Sequence, residues 1–323
     1  MLADIPGELH ERPWVDFAHN RTEALALAAP HTEYLLVVDA DDVLVSAPDF
    51  SLPPLTHDAY SLTVWDVNLR YERVHLVRAA CDWRYEGVLH EYLVCDRPHS
   101  QSHLSGLNYR RLGGGARSLN PDKFLHDAAV LQAALEREPN RARYVFYLGQ
   151  SWRDAGRPQE ALAAYRRRAS MGGWAEEVWY SLYEVARLLQ TTGADYDAVV
   201  GAYLRAHAFR PSRAESLTKL AAYLRQKKEW PTAFLFASAA VAIPRPADTL
   251  FLDDTVYAWQ ALDEFAVSAY WVRRYRESRD ACRQLLSAGQ LPASEVARVQ
   301  GNLDFAERRL SEGAGHMQPP KSA

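Results

Sequence analysis

The chain has 323 residues, 48% of them hydrophobic and 24% charged, with a formal charge of −4 and an isoelectric point near 6.3. That composition suits a globular protein with room for two domains, and it lacks the basic field that draws nucleic acid or anionic lipid. Cys81, Cys95 and Cys282 are too scattered for a disulfide framework or a CxxC metal knuckle, so a reducing cytoplasm is the default expectation.

The opening residues are polar and carry no apolar core of a signal peptide. Asp4-Ile-Pro-Gly-Glu-Leu9 reads as the end of a loop. Trp14, Phe17, Ala24, Leu25 and Ala28 then fall at helical spacing, and Pro30 ends that helix. Glu33 to Val38 reads as a buried strand running into Asp39-Ala40-Asp41-Asp42. Further β-rich runs follow at Ser61–Trp65 and Arg73–Arg78, bounded by Pro53-Pro54 and a Gly113-Gly114-Gly115 loop before Arg117.

From Pro121 the texture changes. Apolar residues recur at three and four, alanine abounds, and no alternating run survives, which predicts helices throughout. The stretch from Thr232 to Pro244 is too short and alanine-rich to span a bilayer. The expected organisation is an α/β domain over 1–120, a helical domain over 121–312 and a frayed tail over 313–323.

The helical part repeats. Leu148, Gly149, Trp152, Gly156, Ala161 and Tyr165 have the spacing of a helix pair in which small residues let neighbouring helices approach. Tyr203, Ala206 and Pro211 fit a second unit 38 residues on. Leu220, Ala221, Leu224, Trp230, Ala233, Ala237 and Ala240 fit a third, 34 further on, and Ala266, Ala269, Tyr275 and Cys282 a degenerate fourth. This resembles a tetratricopeptide (TPR) domain, whose stacked helix pairs suit protein or peptide recognition. An irregular helical bundle is the alternative, and under either reading the aromatics are core.

Candidate chemistry lies earlier. Carboxylates just past a strand's carboxyl end sit where open α/β sheets bind ligands. Clustered there, Asp39 and Asp41 repel unless a divalent cation neutralises them; without a metal, the DxDD is an acidic turn. Leu35-Leu-Val-Val-Asp39-Ala-Asp41-Asp-Val-Leu44 is similar to the nucleophile loop of haloacid-dehalogenase-like phosphatases, and Thr249-Leu-Phe-Leu-Asp253-Asp254 imitates their later metal motif. That family requires parallel strands where this sequence supplies helices.

A stronger resemblance is to family 2 glycosyltransferases of GT-A fold, over roughly residues 5 to 125. It rests on Asp16-Phe-Ala-His-Asn20-Arg21-Thr-Glu-Ala-Leu25, on Glu33-Tyr-Leu-Leu-Val-Val-Asp39-Ala-Asp41-Asp42, and on Trp83-Arg-Tyr85-Glu-Gly87-Val-Leu-His90-Glu91. A TPR tail after such a domain is a known arrangement among bacterial members.

The resemblance implies a partial, Rossmann-like GT-A sheet and an inverting hexosyltransferase-like enzyme. Its donor would be a nucleoside-diphosphate sugar, and its acceptor a glycan, protein or peptide. Asp41 and Asp39 would hold Mn²⁺ or Mg²⁺ on the donor diphosphate; outside the resemblance, His99 and His103 each offer an imidazole to such a metal, with a solvated loop histidine as the alternative for both. Asn20 and Arg21 would face the diphosphate, together with Asp39. Glu91 would be the general base and Asp82 its rival, while Trp83, Tyr85 and His90 would line the acceptor. The plain alternative for His90-Glu91 is a surface pair after a strand. A GT-A domain opens with strands that have no counterpart here, so the chain is expected to be a fragment of a longer reading frame. The second functional expectation is a non-catalytic TPR scaffold carrying an incomplete transferase domain.

Overall fold

The computed structural model describes residues 7–66, 69–113 and 120–315. The expectations placed on Asp4 to Pro6, on Gly114, Gly115 and Arg117, and on residues 316–323 lie outside that range. The chain divides into two compact units, Met1–Val67 with Tyr71–Arg157, and Asn68–Arg70 with Pro158–Ala323.

In the first unit, α1 (Phe17–Ala28) opens on Asp16, whose carboxylate accepts a hydrogen bond from the His19 amide over 2.7 Å. This is an ordinary N-cap, satisfying one of the amide groups that a helix start leaves without a partner. Past Ala28 the helix tightens into a 3₁₀ turn over Ala29–His31, since Pro30 has no amide hydrogen to offer.

The strands are β1 (Tyr34–Leu36), β2 (Asp42–Ser46), β3 (Ala59–Asp66), β4 (Leu69–Arg78), β5 (Arg84–Glu86), β6 (Tyr92–Val94) and β7 (Gln101–Arg111). Five of them form a sheet in the order β1-β4-β3-β7-β2, and β5 and β6 make a separate hairpin. β1 with β4 and β2 with β7 are antiparallel; β3 with β7 is parallel.

This topology corrects the expected Rossmann-like core. Glu33 to Val38 reads in the sequence as a buried strand. Instead β1 is a three-residue antiparallel edge, with Leu36 44% and Val38 41% exposed. The unit buries apolar side chains on both faces of its sheet. One cluster gathers Leu25, Leu35, Ala59, Val77 and Trp83, and the other Tyr60, Leu62, Val64, Leu76 and Tyr109. Successive residues such as Leu76 and Val77 serve opposite clusters, as the period of two in a strand requires. Helices α2 (Lys123–Arg137) and α3 (Ala142–Asp154) complete the unit.

The second unit holds α4 (Pro158–Ser170), α5 (Ala175–Thr191), α6 (Tyr196–Phe209), α7 (Glu215–Gln226), α8 (Trp230–Val241), a two-residue β8 (Leu252–Asp253), α9 (Ala261–Trp271), α10 (Tyr275–Ser287) and α11 (Ala293–Gly315). A five-residue π-helical turn, Val256–Gln260, leads into α9. β8 pairs antiparallel with Leu69 and Arg70.

Four helix-to-helix turns share one backbone design. Gly156, Gly193, Lys228 and Arg273 have φ of 70°, 70°, 62° and 65°. The amide of the next residue reaches back across the turn in each: Arg157 to the Trp152 carbonyl (2.8 Å), Ala194 to Leu189 (2.9 Å), Glu229 to Leu224 (3.0 Å) and Arg274 to Ala269 (2.9 Å). This is the Schellman closure, which satisfies carbonyls that the helix end would otherwise orphan.

The helix after each turn also repeats its burial. The fourth position is Ala161, Val199, Ala233 or Ser278, and the eighth is Tyr165, Tyr203, Ala237 or Cys282. All eight residues are 1% exposed or less. The second half is thus a helical-repeat array whose repeat is written in backbone geometry as well as in residue type. Among the described residues no helix is long and apolar enough to cross a membrane.

Candidate functional site

In the first unit the structure brings together four of the residues that the sequence singles out, Arg21, Asp39, Glu91 and Tyr85. Arg21, on the first turns of α1, donates to Asp39, and its Nε lies 2.8 Å from Glu91 Oε1. The Arg73 guanidinium approaches the other Asp39 oxygen at 3.6 Å, and the Tyr109 hydroxyl accepts from the Asp39 amide over 3.0 Å. Tyr85 supports the cluster from below: Arg21 stands over its ring at 5.5 Å, and the Tyr85 amide donates to Thr22 Oγ1 over 2.9 Å. Burial opposes the charge on Asp39, but the Arg21 guanidinium outweighs it and holds the carboxyl below its usual range.

The other expected residues go elsewhere. Asn20 is spent on the segment before the helix, accepting from the Val15 amide and donating to the Pro13 carbonyl, both at 2.9 Å. Asp41 is exposed in a turn. Asp42, in β2, accepts from the Leu112 amide over 3.0 Å. Asp82 is exposed and Trp83 is buried in the apolar core with its ring edge-on to His99 at 4.9 Å. His90 takes up φ 52°, its ring stacked at 3.9 Å on Tyr147 and its carbonyl accepting from Arg143. Gly87, with φ 115°, gives the β5–β6 turn the left-handed backbone that brings Glu91 round to Arg21. His103, in β7, contacts Ser61 Oγ at 3.2 Å and lies 3.6 Å from the Glu72 carboxylate.

The expected metal centre is therefore corrected. Asp39 is already compensated by two arginines, Asp41 is exposed in the turn, and Arg21 pairs with the carboxylate expected as base. Among the described residues no three His, Cys, Asp or Glu side chains converge to hold an ion. What the cluster does physically is fasten α1 to the end of β1 and to the β5–β6 hairpin.

The second unit carries a different arrangement. The connection from α8 to α9 runs irregularly over residues 242–251 before β8, and side chains from the starts of α5 and α7 hold part of its backbone. Glu176 Oε2 accepts from two successive amides, Thr249 (2.9 Å) and Leu250 (2.7 Å). Arg213 donates to two successive carbonyls, Leu250 (3.2 Å) and Phe251 (3.1 Å). Asp248 receives Arg210 over 2.6 Å and Arg213 over 3.2 Å. Burial raises the Asp248 carboxyl, but the two arginines outweigh it and leave it below the usual range. Arg213 is fully buried, stacked 3.9 Å above Trp179 and paired with Glu215 at 2.7 Å.

At the turns of the last two hairpins lies an aromatic edge. Trp230 and Trp271 stack with centroids 4.6 Å apart and planes at 12°, and Tyr270 meets Trp271, Tyr275 and Phe305. Sequence reasoning missed Trp271 because its neighbour Tyr270 lies between two repeat positions, Ala269 and Tyr275, and reads as core. Trp271 is 54% exposed. Nothing in the sequence marks Glu176, Arg210 and Arg213 as a set, since Asp248 lies 38 positions beyond Arg210.

No protein-family model and no curated protein matches the chain. Solved structures with partial likeness include three of helical proteins or complexes. The Cut9–Hcn1 hetero-tetramer of the APC/C is 13% identical at a TM-score of 0.42, over 59% of this chain and 34% of that one, so the chain spans about a third of it. BtubC (BKLC) from P. vanneervenii is 15% identical at 0.44, over 65% and 97%. YrrB, described as a TPR protein with an unusual peptide-binding site, is 12% identical at 0.39, over 59% and 84%. No function passes through likenesses this distant.

The glycosyltransferase assignment is nonetheless overturned. The sheet is mixed where a Rossmann-like core is expected, and among the described residues no three His, Cys, Asp or Glu side chains converge where the DxD acids are to hold a metal. With it fall the enzyme reading, its DxD metal chemistry and its nucleotide-sugar donor. The phosphatase alternative gains nothing either, because Asp253 belongs to a two-residue strand whose carboxylate accepts from the Thr255 amide.

Proposed function

We propose that the chain is a non-catalytic interaction scaffold whose helical-repeat half recognises an extended segment of another protein. One observation carries this reading. The array already holds an irregular stretch of backbone, its own residues 249–251, with Phe251 at φ 47°, by the means peptide recognition uses: a carboxylate on two successive amides and a guanidinium on two successive carbonyls. Helix pairs stacked in one dimension present long side-chain ladders that suit such a ligand. In the first unit, the Arg21 cluster serves as a fastening between elements.

Selection of short peptides from a displayed random library on the folded chain tests the reading. The expected result is an enriched sequence family that binds with micromolar affinity in calorimetry and loses binding when the chain is unfolded in urea. Absence of any enriched sequence, or equal capture by the unfolded chain, would overturn it.

A further inference from the structure

The third and fourth hairpin turns differ from the first two in a way that folding does not require. Gly156 and Gly193 supply the left-handed residue of the first two turns, and nothing lies within 4 Å of the Cβ position at either. Lys228 and Arg273 occupy the same backbone position at φ 62° and 65°. There an L side chain is disfavoured, and non-glycine residues held in that region cluster at functional sites.

Each of these cations lies two residues from one member of the stacked pair, Lys228 before Trp230 and Arg273 after Trp271. The side chains of Lys228, Arg273 and Arg276 are exposed, with no hydrogen bond or ion pair among the described residues. The nearest carboxylates in sequence are engaged: Glu229 by the Tyr196 hydroxyl at 2.6 Å and Glu277 by Arg274 at 3.0 Å. The edge therefore combines an indole stack, half-buried at Trp230 and exposed at Trp271, with uncompensated positive charge. Trp and Arg are the residues that dominate binding energy at protein interfaces.

We propose that this edge docks an acidic segment of a partner protein. An apolar side chain of that segment rests on the Trp230–Trp271 stack, and its carboxylates meet Lys228, Arg273 and Arg276. The proposal rests on the scaffold reading and assigns it a place and a ligand chemistry. The cations steer and select by charge, while the indoles contribute contact area that stays favourable in salt.

The test uses the full chain and a fluorescein-labelled short peptide of alternating glutamate, leucine and phenylalanine. Its counterpart with lysine for glutamate and vesicles of phosphatidylserine run alongside. Fluorescence anisotropy is expected to show binding of the acidic peptide and not of the lysine peptide. Trp271→Ala and the double variant Lys228→Gly, Arg273→Gly should each weaken it by at least about tenfold. The glycine variant relieves the left-handed positions, so loss of binding there cannot be assigned to misfolding. Equal affinity of wild type and the glycine variant would overturn the proposal, as would equal binding of the lysine peptide. Binding of the vesicles alone would overturn it in favour of a lipid surface. Selected peptides that bind the chain but ignore Trp271 would sink this site and leave the scaffold reading standing.

Discussion

Arg73 Nε donates to His75 Nε2 over 3.0 Å, while His75 Nδ1 faces the Val37 carbonyl at 2.8 Å. The two contacts fix one neutral tautomer, Nδ1 protonated and Nε2 accepting. Burial and the adjacent Arg73 charge push the imidazole down from its ordinary 6.5 to about 4.

The first prediction is a pH dependence. Between about pH 6.5 and 4 the unfolded chain binds a proton at His75 that the folded chain refuses. Stability is full above 6.5 and falls by up to about 3 kcal/mol as pH drops toward 4. Asp39, whose carboxyl is depressed, adds a loss of the same sign at still lower pH. Urea unfolding of wild type and His75→Gln across this range checks it. An unchanged slope in the variant would mean that His75 titrates normally.

The next prediction concerns the fastening of α1. Arg21 is shared by Asp39 and Glu91, whose side chains are 24% and 12% exposed. Removing it leaves two partly buried carboxylates facing each other. Arg21→Met should destabilise the fold by about 2–3 kcal/mol, less than a fully buried pair would cost because solvent still screens the site. The triple variant adding Asp39→Asn and Glu91→Gln should recover part of that loss. Thermal unfolding decides it, and a triple variant weaker than the single one would contradict the account.

Much of this arrangement was legible in the sequence, though not its meaning. Arg21, Asp39 and Glu91 enter the sequence reading together through the glycosyltransferase resemblance, and in the structure they meet as an ion-pair cluster. The sign of the grouping was not legible: a carboxylate awaiting a metal and one awaiting an arginine read alike until Arg73 and Arg21 are seen on Asp39. The helical repeat was visible at Gly156, Ala161, Tyr165, Ala233 and Ala237, since small and large residues at fixed spacing follow from close helix packing. β1 was misjudged because a short apolar run looks the same at a sheet's edge and at its centre. The held segment at 249–251 was invisible, for backbone hydrogen bonds leave no mark on residue type.

A third prediction concerns that segment. Arg213 is fully buried and serves Glu215, Asp248 and the carbonyls of Leu250 and Phe251. Arg213→Met keeps the volume and removes every donor, leaving buried carboxylates and carbonyls without partners. The expected destabilisation is about 3–5 kcal/mol. Hydrogen exchange should also quicken at the Thr249 and Leu250 amides as the segment loosens, and unchanged protection there would show that Glu176 holds it alone.

The last prediction separates the four turns. At Gly156, φ 70° with open space around the Cβ position means that Gly156→Ala meets no clash, only the left-handed penalty. It should destabilise by about 1 kcal/mol. At Lys228 and Arg273 the penalty is already present, so substitution to glycine relieves it. Glycine also enlarges the freedom of the unfolded chain, which offsets part of the gain. Lys228→Gly and Arg273→Gly should therefore be neutral to stabilising by about 0.5 kcal/mol each, opposite in sign to Gly156→Ala at an equivalent backbone position. Urea midpoints measured at constant slope read all three. If the glycine variants lose as much stability as Gly156→Ala does, the long side chains of Lys228 and Arg273 are held in the fold by contacts of their own, and they are not the free cations of a docking edge.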